Sequence, residues 1–427
     1  MKIRDKVLPV LRPLGGEEEI ASLRESIESG WWGKGPKVAE FEKKFAEMVG
    51  AKYALAVDSN TSGQDLIFKA LGIRDCDVIS PTISFMTTAI VPVWNNCTST
   101  IVDVMPHDLN IDPVDVKKNL KSNTKLITAV NYSGVMAPVE RIREFYDGFI
   151  LEDCAHACYA PGAGSRGDAA VWSFQAVKTM PCGDGGMITT NSKELYEKLV
   201  PLTWLGITST YSRSKSRNGT PGYAWDYDVD VVGYKAYMID LTAAICLEQM
   251  KKLEKHLEIR RYIQAQYNEK LKDVIQAPVW SHTVQNYSAR VPAEHRDKLI
   301  DYLADKKINT SVHYKPLHLH KVVSGMNQRE YPVADKEWKR LITLPCHPAM
   351  TDDDVDYALE QLNKNINRQA DNMLSTPDVF AAVSGSANVE FRLAKIDPTG
   401  NPTNGIVRIH SELTEVPVNE AGNNIIK

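Results

Sequence analysis

The chain has 427 residues, 43% of them hydrophobic and 24% charged, and its 50 Lys and Arg against 54 Asp and Glu leave a formal net charge of −4. At the usual domain size that length suggests roughly two or three domains, with a core that needs no disulfide or metal staple. The slightly acidic balance lacks the broad basic face that nucleic acid demands, so no nucleic-acid partner is expected.

The start, MKIRDKVLPVLRPLGG, has neither the apolar block nor the small-residue cleavage site of a secretory signal. Ile20, Leu23 and Ile27 then share one helical face ending at Gly30, and Pro36 opens a second helix with Phe41, Phe45 and Val49 on its apolar side before Gly50. Short β-branched runs recur at residues 53–57, 78–80, 100–104, 125–130 and 149–152, with helical stretches between them. Runs apolar on both faces and joined by helices predict an α/β fold with a mainly parallel sheet covered on both sides. The active site of such a sheet lies at the carboxyl ends of its strands.

A long, charge-laced helix is expected to begin near Asp240 and run through MKKLEKHLEIRRYIQAQYNEKL. Beyond it, a strand at 287–291, a helix at 293–306 and a strand at 309–314 read as a smaller α+β domain. The expected division is a large domain over 1–250, a small one over 251–368 and an atypical tail over 369–427, rich in Asn, Pro, Gly and Thr with one strand-like run at 389–393. No stretch is long and apolar enough to span a bilayer, so no membrane partner and a cytoplasmic location are expected. The seven cysteines are scattered without a CxxC pair, which fits reduced thiols. Cys154, His156 and Cys158 match no common zinc spacing, and no metal site is expected.

The most informative feature is a strand ending in the acidic pair of LEDCAHA, followed 25 residues after Asp153 by Lys178 in WSFQAVKTMPCGDGG. An amine that attacks an aldehyde must be partly deprotonated, which burial beside positive charge achieves. Lys178 is therefore the candidate Schiff-base lysine. A buried carboxylate holds a pyridinium nitrogen protonated and makes the ring an electron sink, and Asp153 suits that role. In VDSNTSGQD a strand gives way to a helix through Asn60, Thr61, Ser62 and Gly63, where unpaired N–H groups and hydroxyls meet as a phosphate cradle. Each residue also has a plain structural reading. These are a salt bridge for Lys178 and Asp153, a core histidine for His156, an ordinary N-cap for residues 60–62, core packing for Phe85 and a solvated loop for the stretch containing Tyr211 and Arg213.

Together these stretches resemble the DegT/StrS family of sugar-nucleotide aminotransferases, fold-type-I enzymes that use pyridoxal phosphate (PLP). The resemblance runs from residue 8 to about 367 through SGWW…GPKVAEFEKKFAE, DSNTSG, SPTISFMTTA, NYSG, LEDCAHA, SFQAVK…GDGG, VGYKAYMIDLTAAICLEQMKKLE, VHYKPLH and LPCHPAMTDDD. It implies that Lys178 carries PLP, Asp153 pairs with the pyridine nitrogen, His156 contacts the ring or its phenolic oxygen and Phe85 stacks on the ring. It also implies that Asn60, Thr61, Ser62 and Ser173 hold the phosphate. Lys235 sits where many members place an Asn from the neighbouring subunit, and aminoarabinose-forming members also carry Lys there.

Substrate contacts are implied at Trp32, Lys34, Tyr211, Arg213, His313 and His318. The implied partners are an amino donor such as L-glutamate, a keto-sugar nucleotide acceptor and a second copy of the chain, forming a homodimer with shared active sites. Two departures stand out, namely Tyr237 in place of the usual Arg or Asn and Asp65 in place of a frequent His. Dehydratase relatives replace the Schiff-base lysine with His, so Lys178 favours amino transfer over sugar deoxygenation; the alternatives are a PLP-dependent sugar-nucleotide dehydratase or epimerase, or a non-catalytic sensor or binding protein of the same fold.

Overall fold

Strands that are apolar on both faces must be covered on both, and that requirement organises the molecule. The computed structural model describes residues 4–207, 229–272 and 274–375, together with two two-residue strands near residues 395 and 402. Its main sheet contains β1 (Tyr53–Val57), β2 (Asp77–Pro81), β3 (Thr98–Val102), β4 (Thr124–Val130), β5 (Phe149–Asp153), β6 (Ala169–Ser173) and β7 (Gly186–Thr190). The strand order is β1-β7-β6-β5-β4-β2-β3. Within it β7 runs antiparallel to both neighbours, and the remaining pairs are parallel.

The helices in chain order are α1 (Glu17–Ser29), α2 (Pro36–Val49), α3 (Asn60–Leu71), α4 (Thr87–Trp94), α5 (Pro113–Asn119), α6 (Val139–Arg143), α7 (Lys193–Leu202) and α8 (Asp240–Lys270). They are followed by α9 (Ala293–Asp305), α10 (Lys321–Ser324), α11 (Pro332–Glu337) and α12 (Asp352–Ser375). Alternation along each strand sorts the core into two layers. Ala54 and Ala56 of β1 join Phe41 and Phe45 of α2, Trp172 of β6 and Leu253 of α8 on one face. Leu55 and Val57 join Leu66 and Ile67 of α3 and Leu199 of α7 on the other.

Three features depart from the sequence-based expectation. The sheet does not end at β5 but continues through β6 and β7. Helix α1 turns its polar face inward, since Ile20 and Ile27 are 47% and 53% exposed while Glu19, Ser22 and Ser26 are buried. The reason is electrostatic: Glu19 accepts hydrogen bonds from Gln249 and Lys252 of α8 at 2.8 and 2.7 Å, and burying that carboxylate without partners would cost more than exposing two aliphatic side chains. The strand expected at 309–314 is also replaced. Its backbone is divided between two partners, with Asn309 bonded to Leu8 and Ser311 to Thr343, so no ladder forms. The small sheet instead pairs β8 (Tyr287–Arg290) with β9 (Leu341–Leu344), antiparallel.

Residues 1–362 form one compact unit and residues 363–427 a second. In the second, Lys395–Ile396 pairs with Pro402–Thr403, and the run at 389–393 lies outside the described residues. No described helix is long and apolar enough to cross a membrane. The ends of β1, β4, β5 and β6 and the beginning of the reversed β7 meet along one edge of the main sheet, and the candidate site is built there.

Candidate active site

At that edge a cavity of about 330 Å³ is lined by Asp153, His156, Lys178, Phe85, His313 and Tyr314, together with Ser59, Asn60, Thr61 and Ser173. Asp153 closes β5 and is 6% exposed. Its Oδ1 accepts from Asn60 Nδ2 at 3.1 Å and from the Ala155 N–H at 3.0 Å, and its Oδ2 accepts from Gln64 Nε2 at 3.0 Å. Burial pushes its pKa up, against the pull of these donors and of the Lys178 charge.

Lys178 follows β6 on a loop that doubles back, where the Phe174 N–H bonds Gly185 O and the Ala176 N–H bonds Gly183 O, both at 2.9 Å. Gln285 braces the loop by donating to Val177 O at 2.9 Å. Burial lowers the Lys178 pKa to about 8, with Asp153 opposing. Its amine is therefore partly free near neutral pH, as a nucleophile requires.

His156 is buried, and its protonation follows from its neighbours. The Ser133 N–H donates to Nδ1 at 3.2 Å, so Nδ1 carries the lone pair and the proton sits on Nε2, which donates to Tyr314 Oη at 2.8 Å. Burial, with the Lys178 and His313 charges, holds the imidazole pKa well below its ordinary value, so the ring is neutral. His313, whose Nδ1 lies 2.9 Å from Thr343 Oγ1, is lowered to about 4 by burial and then by Lys178. Phe85 leaves β2's end 63% exposed, with its ring centroid 6.2 Å from that of Tyr314.

The N-terminus of α3 also lines the cavity. Ser59 is the N-cap, accepting from the Ser62 N–H at 3.1 Å, and Thr61 Oγ1 lies 2.9 Å from Thr87 Oγ1. The first β7 residue presses on this turn so closely that a Cβ on Gly186 would sit 2.5 Å from the Ser59 carbonyl carbon. Hydroxyls and unpaired helix N–H groups thus converge on a point suited to an anion.

The remaining expected residues lie elsewhere. Ser62 and Lys235 line a separate cavity of about 450 Å³ with Lys69, Trp94 and Tyr234. Trp32 is 58% exposed and donates its indole N–H to Ile27 O at 3.2 Å, and Lys34 sits two residues on, beside Glu42. His318 does not line the cleft; it stacks on Tyr331 and bonds Thr82 and Asp335 at 2.6 and 3.1 Å. Tyr211 and Arg213 lie outside the described residues.

Sequence reasoning missed Tyr314, Gln64 and Gln175 of this neighbourhood. Tyr314 stands inside the VHYKPLH stretch, and Gln64 follows Asn60 by one helical turn, a spacing that puts both side chains on one face.

The DegT/DnrJ/EryC1/StrS aminotransferase family model matches residues 13–363. The chain belongs to this family. This DegT/DnrJ/EryC1/StrS member is 36% identical over 390 residues to the spore coat polysaccharide biosynthesis protein SpsC of Bacillus subtilis, covering 86% of this chain and 99% of SpsC. The aminotransferase TlmJ from Streptoalloteichus hindustanus superposes with a TM-score of 0.78 at 29% identity, covering 85% of this chain and 100% of TlmJ. The PMP form of Spr1654 from Streptococcus pneumoniae, described as a sugar aminotransferase, superposes at 0.79 with 25% identity, covering 84% and 99%. Spr1654 is also known in a PLP form. The mostly parallel seven-stranded α/β architecture is that of fold-type-I PLP aminotransferases.

Proposed function

We propose that this chain is a PLP-dependent aminotransferase that carries an amino group from an amino acid, L-glutamate in the first instance, to a keto-sugar nucleotide, acting as a homodimer with shared active sites. The observation that carries this reading is a single cleft that gathers a lysine amine of lowered pKa, a buried, donor-held carboxylate and a helix N-terminus. These groups fit PLP: Lys178 for the aldehyde, Asp153 for the ring nitrogen, Phe85 for a ring face, and Thr61, Ser59, Ser173 and the α3 N–H groups for the phosphate.

When bound, PLP supplies an electron sink for a carbanion at the substrate carbon. The protein's own part is to orient and to move protons. Lys178, once its amine is free, would take a proton from the donor's α carbon and give it back within the same half-reaction, then do the reverse for the acceptor, a task suited to a base with a pKa near the working pH. Asp153 holds negative charge where the ring nitrogen lies. His156, neutral and fixed by Ser133 and Tyr314, holds the ring edge without competing for the proton. His313 supports the reading as a cleft residue that can face substrate.

The test is to incubate the purified protein with PLP, L-glutamate and a panel of keto-sugar nucleotides and to weigh the products. A sugar nucleotide whose mass shows the keto oxygen replaced by an amine is expected, and a dehydrated or epimerised product with no amino group added to the sugar refutes amino transfer.

A further inference from the structure

The Asp153 carboxylate has been drawn out of water, so something other than solvent must keep it charged and fix its direction. Gln64 is 1% exposed and lies one helical turn from Asn60 on α3. Its amide nitrogen has two protons, and both are committed: one to Asn60 Oδ1 at 2.9 Å, the other to Asp153 Oδ2 at 3.0 Å. The first bond has a consequence for the second oxygen. Because Asn60 Oδ1 is occupied as an acceptor of a Gln64 proton, Asn60 must present Nδ2 to Asp153 Oδ1, where it donates at 3.1 Å. A flipped Asn60 would set an oxygen against the carboxylate. One side chain therefore supplies a donor to Oδ2 directly and orders the donor on Oδ1.

We infer that Gln64 is a positioning residue for the amino-transfer site, keeping the Asp153 carboxylate ionised and aimed into the cleft through both protons of its amide. The inference rests on the reading that Asp153 faces the PLP ring nitrogen. It predicts that removing the two protons alters the protonation of that nitrogen without releasing the cofactor from Lys178.

The experiment compares wild type, Gln64→Met and Gln64→Glu, each loaded with PLP labelled with 15N in the ring. Borohydride reduction and peptide mass should find PLP on Lys178 in all three. The 15N signal should be that of a pyridinium in wild type and shift toward free pyridine in both variants at neutral pH. The rate constant for the half-reaction with L-glutamate should fall about tenfold to a hundredfold, the scale of one hydrogen bond to a charged group, with KM little changed.

The variants should then part company. On mild acidification Gln64→Glu should recover part of its half-reaction rate, because a protonated carboxyl restores one donor to Asp153, whereas Gln64→Met should not. A wild-type 15N signal and half-reaction rate in both variants would overturn the inference and leave the PLP reading intact. Equal losses with no acid recovery and a lowered unfolding midpoint would reduce Gln64 to a packing role and also overturn it. Wild type that takes no PLP at Lys178 defeats the underlying reading instead.

Discussion

Lys178 shows how one side chain is fitted to a reaction by its surroundings. Its pKa of about 8 against an ordinary 10.5 means that free amine appears over an accessible pH range. For the protein stripped of cofactor, the rate of capture of PLP at Lys178, trapped with borohydride, should rise about fiftyfold from pH 6 to pH 8 and flatten above it. A rate still climbing tenfold per unit through pH 9 would mean an unperturbed lysine. Stability should follow the same titration. The folded chain binds fewer protons than the unfolded one between about pH 8 and 10.5, so stability rises with pH in that window and sits on its lower plateau below pH 8. Lys178→Met should lack this slope in urea denaturation. It should also lose the borohydride-stable link, and Lys178→Ala should abolish turnover.

At the scale of elements, the site depends on how closely β7 can approach the α3 N-terminus. A Cβ on Gly186 meets backbone atoms of Ser59 and Asn60 at 2.5 and 2.6 Å, and backbone cannot swing aside as a flexible side chain would. Gly186→Ala should therefore displace the anion-binding turn, lowering stability by about 1–3 kcal/mol and weakening PLP binding. An unchanged urea midpoint with wild-type PLP affinity would contradict this. The same junction shows what the sequence could and could not convey. Strands β1 to β5 carry β-branched or apolar runs set between helical stretches, a pattern readable without knowing their neighbours. AAVWS and GMITT, the β6 and β7 segments, are no shorter, but no helix separates them from β5 or from each other, and with two alanines or a leading glycine they become strands through pairing with β5 and β1. The inverted face of α1 was hidden for a similar reason, since only the partner side chains on α8 show why Glu19 belongs inside. In the site, Asp153, His156 and Lys178 could be read from residue types at fixed spacing in two motifs. Gln64 and Tyr314 could not, because their significance lies in which atoms they face across the cleft.

For the whole molecule, the question is which residues belong to one site. The family match ends at residue 363 and residues 363–427 form a unit of their own, so a chain ending at Ser375, with α12 complete, is expected to keep its turnover; a loss would give the tail a part in catalysis. Lys235 poses the sharper problem. It does not line the cavity around its own Lys178 but a different one with Lys69 and Tyr234, so its role at the cofactor phosphate is expected to be played in a second copy. This can be tested by mixing two inactive proteins. Lys178→Ala lacks the reacting amine, and Lys235→Ala, which has lost a charge on the phosphate, should bind PLP about tenfold to a hundredfold more weakly, so its sites stay mostly empty when PLP is held well below that variant's dissociation constant. After denaturation and random reassociation, about half the dimers are mixed, and each mixed dimer holds one site with both lysines intact. Activity should return to about a quarter of the wild-type value from near zero in either parent. If Lys235 served its own chain, every subunit would carry a defect that its partner could not repair, and the mixture would stay as inactive as its parents.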